Sequence, residues 1–201
     1  MSTTMSHTAL IEHTDLPSGT VTLLMADVEG STRLWENQPS EMAAALATMD
    51  DRLAELVCTT HGVCPIEQGE GDSFVVAFTD AVDAVTCALA LQHTAFSPIR
   101  LRIGVHTGDV QFRDRHKYMG PTLNRAARLR DLGHGGQTLL SGSTTELVRE
   151  SLPERTWLRD FGCLALRDLS RPEWVTQLCH PHLRTDFPPL RGDRVGVAAG
   201  A

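Results

Sequence analysis

Two aspartates stand at the edges of short apolar runs: Asp27 closes Thr20–Ala26 (TVTLLMA), and Asp72 precedes Ser73–Phe78 (SFVVAF). Paired carboxylates at neighbouring strand ends, with water in the remaining positions, are the hard-oxygen ligand set that Mg²⁺ or Mn²⁺ prefers when it also binds phosphate. Acids also mark ordinary polar turns, so the pair alone leaves both readings open. The flank Val28-Glu29-Gly30-Ser31-Thr32 runs from strand to helix start, where free backbone N–H groups and the helix dipole favour a polyphosphate. A second group lies in Gly120–Leu129 (GPTLNRAARL). Asn124 and Arg128, four residues apart, share one helical face, with Leu123, Ala127 and Leu129 expected to pack behind them. Arg128 offers a fixed positive fork for phosphate, and Asn124 a neutral donor and acceptor. The bland alternative is a solvated helix face with an incidental arginine.

The elements that must position these residues follow from periodicity. Thr20–Ala26 reads as a central strand, and Ser31–Gln38 as a helical turn or two. Pro39 opens a long helix with the stripe Met42, Leu46, Met49, Leu53 and Leu56, ended by Gly62. Val63–Ile66 and Ser73–Phe78 read as a hairpin joined across Gly69-Glu70-Gly71. A helix over Asp80–Ala95 and an alternating strand over Ile99–Thr107 complete a β-α-β-β-α-β order. That order is ferredoxin-like, and it makes the strands bearing Asp27 and Asp72 neighbours. Further elements are a helix Pro121–Leu132, a strand Gln137–Ser141, a helix Thr144–Ser151 and strands near Trp157–Leu169 and Glu173–Leu178. The fold class is therefore α+β: a ferredoxin-like core with an additional C-terminal helix and strands. Residues 1–18 read as a polar disordered segment, 19–182 as the folded domain, and 183–201, rich in Pro, Gly and Ala, as a flexible tail or linker.

Composition narrows the function. The 201 residues, 41% hydrophobic, suit one domain with a buried core. A net charge of −7 argues against direct nucleic-acid binding. Lys117 is the only lysine. The five cysteines show no C-x-x-C pair and read as reduced, mostly buried thiols. No apolar run approaches membrane-spanning length and the first residues lack the build of a signal peptide, so a cytoplasmic protein is expected. The Walker pattern is absent, which removes P-loop chemistry.

Four segments in register, Ala26–Thr32 (ADVEGST), Gly69–Phe74 (GEGDSF), Gly104–Gly108 (GVHTG) and Leu123–Arg128 (LNRAAR), resemble the class III nucleotidyl (adenylyl or guanylyl) cyclase catalytic domain. The closing stretches Phe161–Leu169 and Pro172–Leu178 are similar to its last strands, so the resemblance covers about Gly19 to Leu178. The resemblance implies that Asp27 and Asp72, with the Val28 carbonyl, hold two Mg²⁺ or Mn²⁺ ions per site. It also implies that Glu29, Gly30, Ser31 and Thr32 meet the phosphates, and that Asn124 and Arg128 stabilise the transition state. In that family the site lies between two subunits, so a homodimer is implied, with ATP as substrate and GTP as the alternative. Where an adenylyl cyclase usually has Lys four residues before the second metal aspartate and Asp three residues before the motif glycine, this chain has Gln68 and Lys117. Both base-reading positions have changed. An enzyme of altered base selectivity and a degenerate cyclase domain that binds nucleotide or dimerises are the two readings that follow.

Overall fold

The computed structural model describes residues 16–65 and 71–192. Most of the expected 1–18 segment, Ile66 of the expected hairpin and Gln68 lie outside the described residues. The first strand, β1 (Thr20–Val28), is β-branched and apolar, and its residues Val21–Leu24 are all buried. A short helix α1 (Ser31–Asn37) follows Gly30, whose φ of 69° is one that glycine adopts without strain. Pro39 then opens α2 (Pro39–Thr59), which buries Met42, Ala45, Met49, Leu53 and Leu56 along one stripe.

Strand β2 (Ser73–Phe78) and helix α3 (Ala81–His93) come next, and the Asp80 carboxylate caps α3 by accepting the Val82 N–H at 2.7 Å. The strand expected before β2 shrinks to a single bridge, Val63 with Ala77. Val63 exchanges both hydrogen bonds with Ala77, at 2.9 and 2.8 Å. Two residues on, where the ladder needs its next donor, stands Pro65, which has no N–H.

Strand β3 (Leu101–Asp109) closes the ferredoxin-like core. A hairpin of β4 (Gln111–Asp114) and β5 (Lys117–Met119) follows, which the sequence did not announce because its residues are mostly exposed and show no apolar alternation. Its two strands meet at Phe112 and Tyr118, with ring centroids 5.3 Å apart. Then come α4 (Pro121–Leu132), β6 (Thr138–Ser141), α5 (Gly142–Val148), β7 (Trp157–Leu164) and β8 (Glu173–Cys179). The main sheet runs β2-β1-β3-β6-β8-β7. α2 and α3 cover one face over the largest apolar cluster, which includes Leu24, Val76, Phe78 and Leu91.

α4 lies close on β3 because Gly104 leaves room for it. A Cβ there would stand 2.5 Å from the Arg130 backbone nitrogen and 2.9 Å from the Ala126 carbonyl. The helix therefore buries Thr122, Ala126, Leu129 and Leu132, one turn-position away from the expected Leu123 and Ala127, which are only half-buried. Residues 183–192, read from composition as a flexible tail, instead lie hydrogen-bonded along the outer strands and α4. All five cysteines are free, but only Cys87 and Cys179 are buried, and Cys58 is exposed. Burial pushes the Cys64 and Cys87 thiols up to about 11. No helix among the described residues is long and apolar enough to cross a membrane.

Candidate active site

The antiparallel register decides what meets Asp27. On one side Asp27 faces Ser73 of β2, which places Asp72 one residue beyond. The Val28 N–H donates to the Asp72 carbonyl at 3.0 Å, so Asp27, Val28 and Asp72 share one end of the sheet, as the strand order predicts. On the other side Asp27 faces Arg102 of β3. Residues directly opposite project to the same face, and Arg102 grips the carboxylate with both ends of its fork: Nε donates to Oδ1 at 2.7 Å and Nη2 donates to Oδ2. Arg130 of α4 adds Nε at 3.4 Å from Oδ2. The hydrogen bond to Asp27 raises the Arg102 pKa, against the opposing effect of burial. Neither arginine was singled out from sequence, although both decide the charge at this sheet end.

Backbone pairing ties down the start of the loop after β1. Glu29 N–H donates to the Arg100 carbonyl at 3.0 Å, so neither its N–H nor that of Val28 is available to a phosphate. The Glu29 carboxylate sits 3.7 Å from Arg100 Nη2 and pairs with Arg191. A phosphate-facing role for Glu29 therefore does not match its placement. Gly30, Ser31 and Thr32 remain at the opening of α1, which has no side-chain cap.

On α4, Asn124 is exposed and Arg128 is half-buried. Arg128 is paired within its own chain, with Asp168 at 3.0 Å and Asp131 at 3.6 Å, rather than with the aspartates at the sheet end. It shares with Arg102 a cleft of about 710 Å³ whose wall includes Asp131, Arg167 and Arg191. Lys117, half-buried on β5, is set on the separate hairpin.

The adenylate and guanylate cyclase catalytic domain model matches residues 14–160, most of the chain. The chain belongs to this family. The uncharacterized protein Rv0891c of Mycobacterium tuberculosis is 59% identical over 175 residues, covering 87% of this chain and 61% of that protein. The chain thus spans about three fifths of that relative. The receptor-type adenylate cyclase GRESAG 4.2 of Trypanosoma brucei brucei is 28% identical over 224 residues, covering 87% of this chain and 39% of its own length. A solved adenylate cyclase from Trypanosoma brucei superposes with a TM-score of 0.75 at 26% identity, covering 90% of this chain and 99% of that one.

Class III cyclase domains bind nucleotide substrates, use divalent metal ions and commonly form dimers. The donors at this chain's sheet end suit such an ion: two carboxylates and a carbonyl are all hard oxygens. Among the described residues no cluster of three or more His, Cys, Asp or Glu side chains could hold a metal.

Proposed function

We propose that this cyclase domain converts ATP to 3′,5′-cyclic AMP and pyrophosphate, as a homodimer whose sites are shared between protomers. The observation that carries the reading is the convergence of Asp27 and Asp72 on one sheet end, beside Arg102. Asp27, Asp72 and the Val28 carbonyl would hold two divalent ions, which when bound acidify the ribose 3′-hydroxyl and neutralise the leaving pyrophosphate. The 3′-hydroxyl gives up its proton to solvent, its oxygen attacks the α-phosphorus, and the bond from that phosphorus to the oxygen bridging to the β-phosphate breaks, releasing pyrophosphate.

The chain's own residues supply the rest. Arg102 donates to both Asp27 oxygens, each of which keeps a second lone pair, so Asp27 would hold an ion with the Arg102 fork still beside it as positive charge for the triphosphate. Arg128 and Asn124, on the partner's α4, stabilise the transition state, with Arg128 offsetting the charge that builds on the α-phosphate. Sharing between protomers is supported by Arg128 facing Asp168 and Asp131 rather than its own aspartate pair. Gln68 and Lys117 read the base, which opens the site to GTP as well as ATP. On this reading residues 19–182 are the catalytic unit, and it works in the cytoplasm, where nucleoside triphosphates are held.

A second reading draws on the same ion pairs. With Asp27 and Arg128 both satisfied inside one chain and both base-reading positions altered, the domain could bind nucleotide or dimerise without turnover, as a regulatory module. Incubating the protein with ATP or GTP and Mn²⁺ and identifying products by mass spectrometry separates the two. Cyclic nucleotide supports the enzyme; saturable binding with no product supports the module.

A further inference from the structure

Beyond β8 the chain turns back across the sheet. Arg159 Nη1 donates to the Thr185 carbonyl and pairs with Asp186, both at 3.0 Å, and Gln177 Nε2 donates to the same carbonyl at 2.9 Å. Phe187 stacks on His134, with ring centroids 6.3 Å apart and planes 6° from parallel. His134 Nε2 lies 3.1 Å from the Pro189 carbonyl, which can only accept, so that nitrogen carries the proton. Leu190 packs into the apolar cluster built on Leu129, Leu132 and Leu139.

The strap ends at Arg191, and there it touches two parts of the site at once. Its backbone N–H donates to the Leu132 carbonyl at 3.0 Å, one of the acceptors that the C-terminus of α4 leaves without a helical partner. Its guanidinium pairs with Glu29, two residues past Asp27. Two close approaches hold this geometry. A Cβ on Gly192 would stand 2.5 Å from Leu132 Cδ2, and one on Gly135 would stand 2.6 Å from Glu29 Oε2. Burial works against the Glu29 charge, yet the Gly135 N–H, Arg191 and Arg100 together hold its carboxyl below the usual range. The family match stops at residue 160, well short of the strap.

We propose that Arg191 is a positioning residue of the cyclase site: through Glu29 it holds the loop Asp27–Thr32 in fixed relation to the end of α4. The inference rests on the cyclase reading of that loop. An exposed ion pair contributes little when two free side chains must be brought together. Here the backbone of one partner is already fixed by Phe187 and Leu190, and the carboxylate of the other by Gly135, so most of the ordering entropy is lost before they meet.

The test uses the full chain with Arg191→Ala and Arg191→Lys. Hydrogen exchange of the 27–34 amides should quicken about fivefold in Arg191→Ala, with β6 and β8 unchanged. KM for ATP with Mn²⁺ should rise about tenfold with kcat nearly kept, since loosened ground-state binding acts on KM first. Arg191→Lys should recover most of both effects, because Glu29 needs only a cation. Unchanged exchange and KM in Arg191→Ala would overturn the proposal, and so would faster exchange spread evenly over the sheet. If the wild-type chain neither binds ATP nor forms cyclic product, the cyclase reading fails, while the exchange comparison still decides whether Arg191 holds the loop.

Discussion

Asp27 stands where two demands meet on the same pair of oxygens. It neutralises Arg102 and, at longer range, Arg130, and the proposed chemistry asks it to hold a divalent ion. Its removal should therefore show twice. Asp27→Ala should lower cyclic-nucleotide formation by at least about 10²-fold, the scale expected when a metal-holding carboxylate is lost. It should also destabilise the fold by about 3 kcal/mol, because a largely buried Arg102 is left without its counter-charge. Initial rates and urea denaturation check the two effects separately, and full turnover in the variant would remove Asp27 from the metal site. A second residue-scale prediction concerns the base. Lys117 can only donate, so it opposes the adenine amine but suits the guanine oxygen, whereas Gln68 serves either base by turning its amide. Gln68→Lys combined with Lys117→Asp should raise the ATP-to-GTP ratio of kcat/KM about tenfold or more. An unchanged ratio would show that neither side chain faces the base.

At the scale of elements, β3 ties the two halves of the domain together, and His106 is the knot. It lies 92% buried, with Nδ1 2.9 Å from Ser141 Oγ at the end of β6, and Ser141 in turn caps α5. Burial, with the Arg125 charge as a smaller cause, lowers its pKa to about 4. Below pH 6.5 the unfolded chain takes up a proton at this histidine that the folded chain refuses until about pH 4. The stability contributed by the neutral ring is thus complete above pH 6.5 and lost as pH falls toward 4, by on the order of 3 kcal/mol. His106→Asn, which keeps a partner for Ser141, should flatten the fall in urea midpoint between pH 7 and 4.5. An equally steep fall in the variant would assign the acid sensitivity to other groups.

At the scale of the whole molecule, the question is whether one chain can complete a site. Within a protomer Arg128 pairs with Asp168 and Asp131 and reaches Asp27 only at second hand, through Asp131 and Arg130, which a shared site explains. Mixing inactive Asp72→Ala chains with inactive Arg128→Ala chains should restore activity. A mixed dimer holds one intact site and one doubly damaged site, and such dimers make up about half of a random mixture, so recovery should approach about a quarter of the wild-type rate. Heterodimers that form and stay inactive would rule out shared sites.

Much of this architecture is written locally in the chain. The α4 boundaries follow from Pro121 and Gly133, the α2 stripe from its 3.6-residue period, and the β1 and β2 strands from their β-branched runs, so Asp27 and Asp72 could be placed at strand ends in advance. Such signals come from neighbours within a few residues. What they cannot carry is register and long-range pairing. Arg102 meets Asp27 across 75 residues of sequence, and Arg191 meets Glu29 across 162. No local pattern distinguishes these arginines from others, since only the antiparallel register of β1 with β3 puts Arg102 opposite Asp27. The face that α4 buries was likewise decided by Gly104 on a different strand. The strap at 183–192 carries the composition of a linker and is held by partners from β7, β8 and the segment after α4, all brought within reach only once the sheet has formed. The sequence determined which groups could do the chemistry; the folded sheet decided which charges face them, because contact across a sheet depends on pairing and not on spacing along the chain.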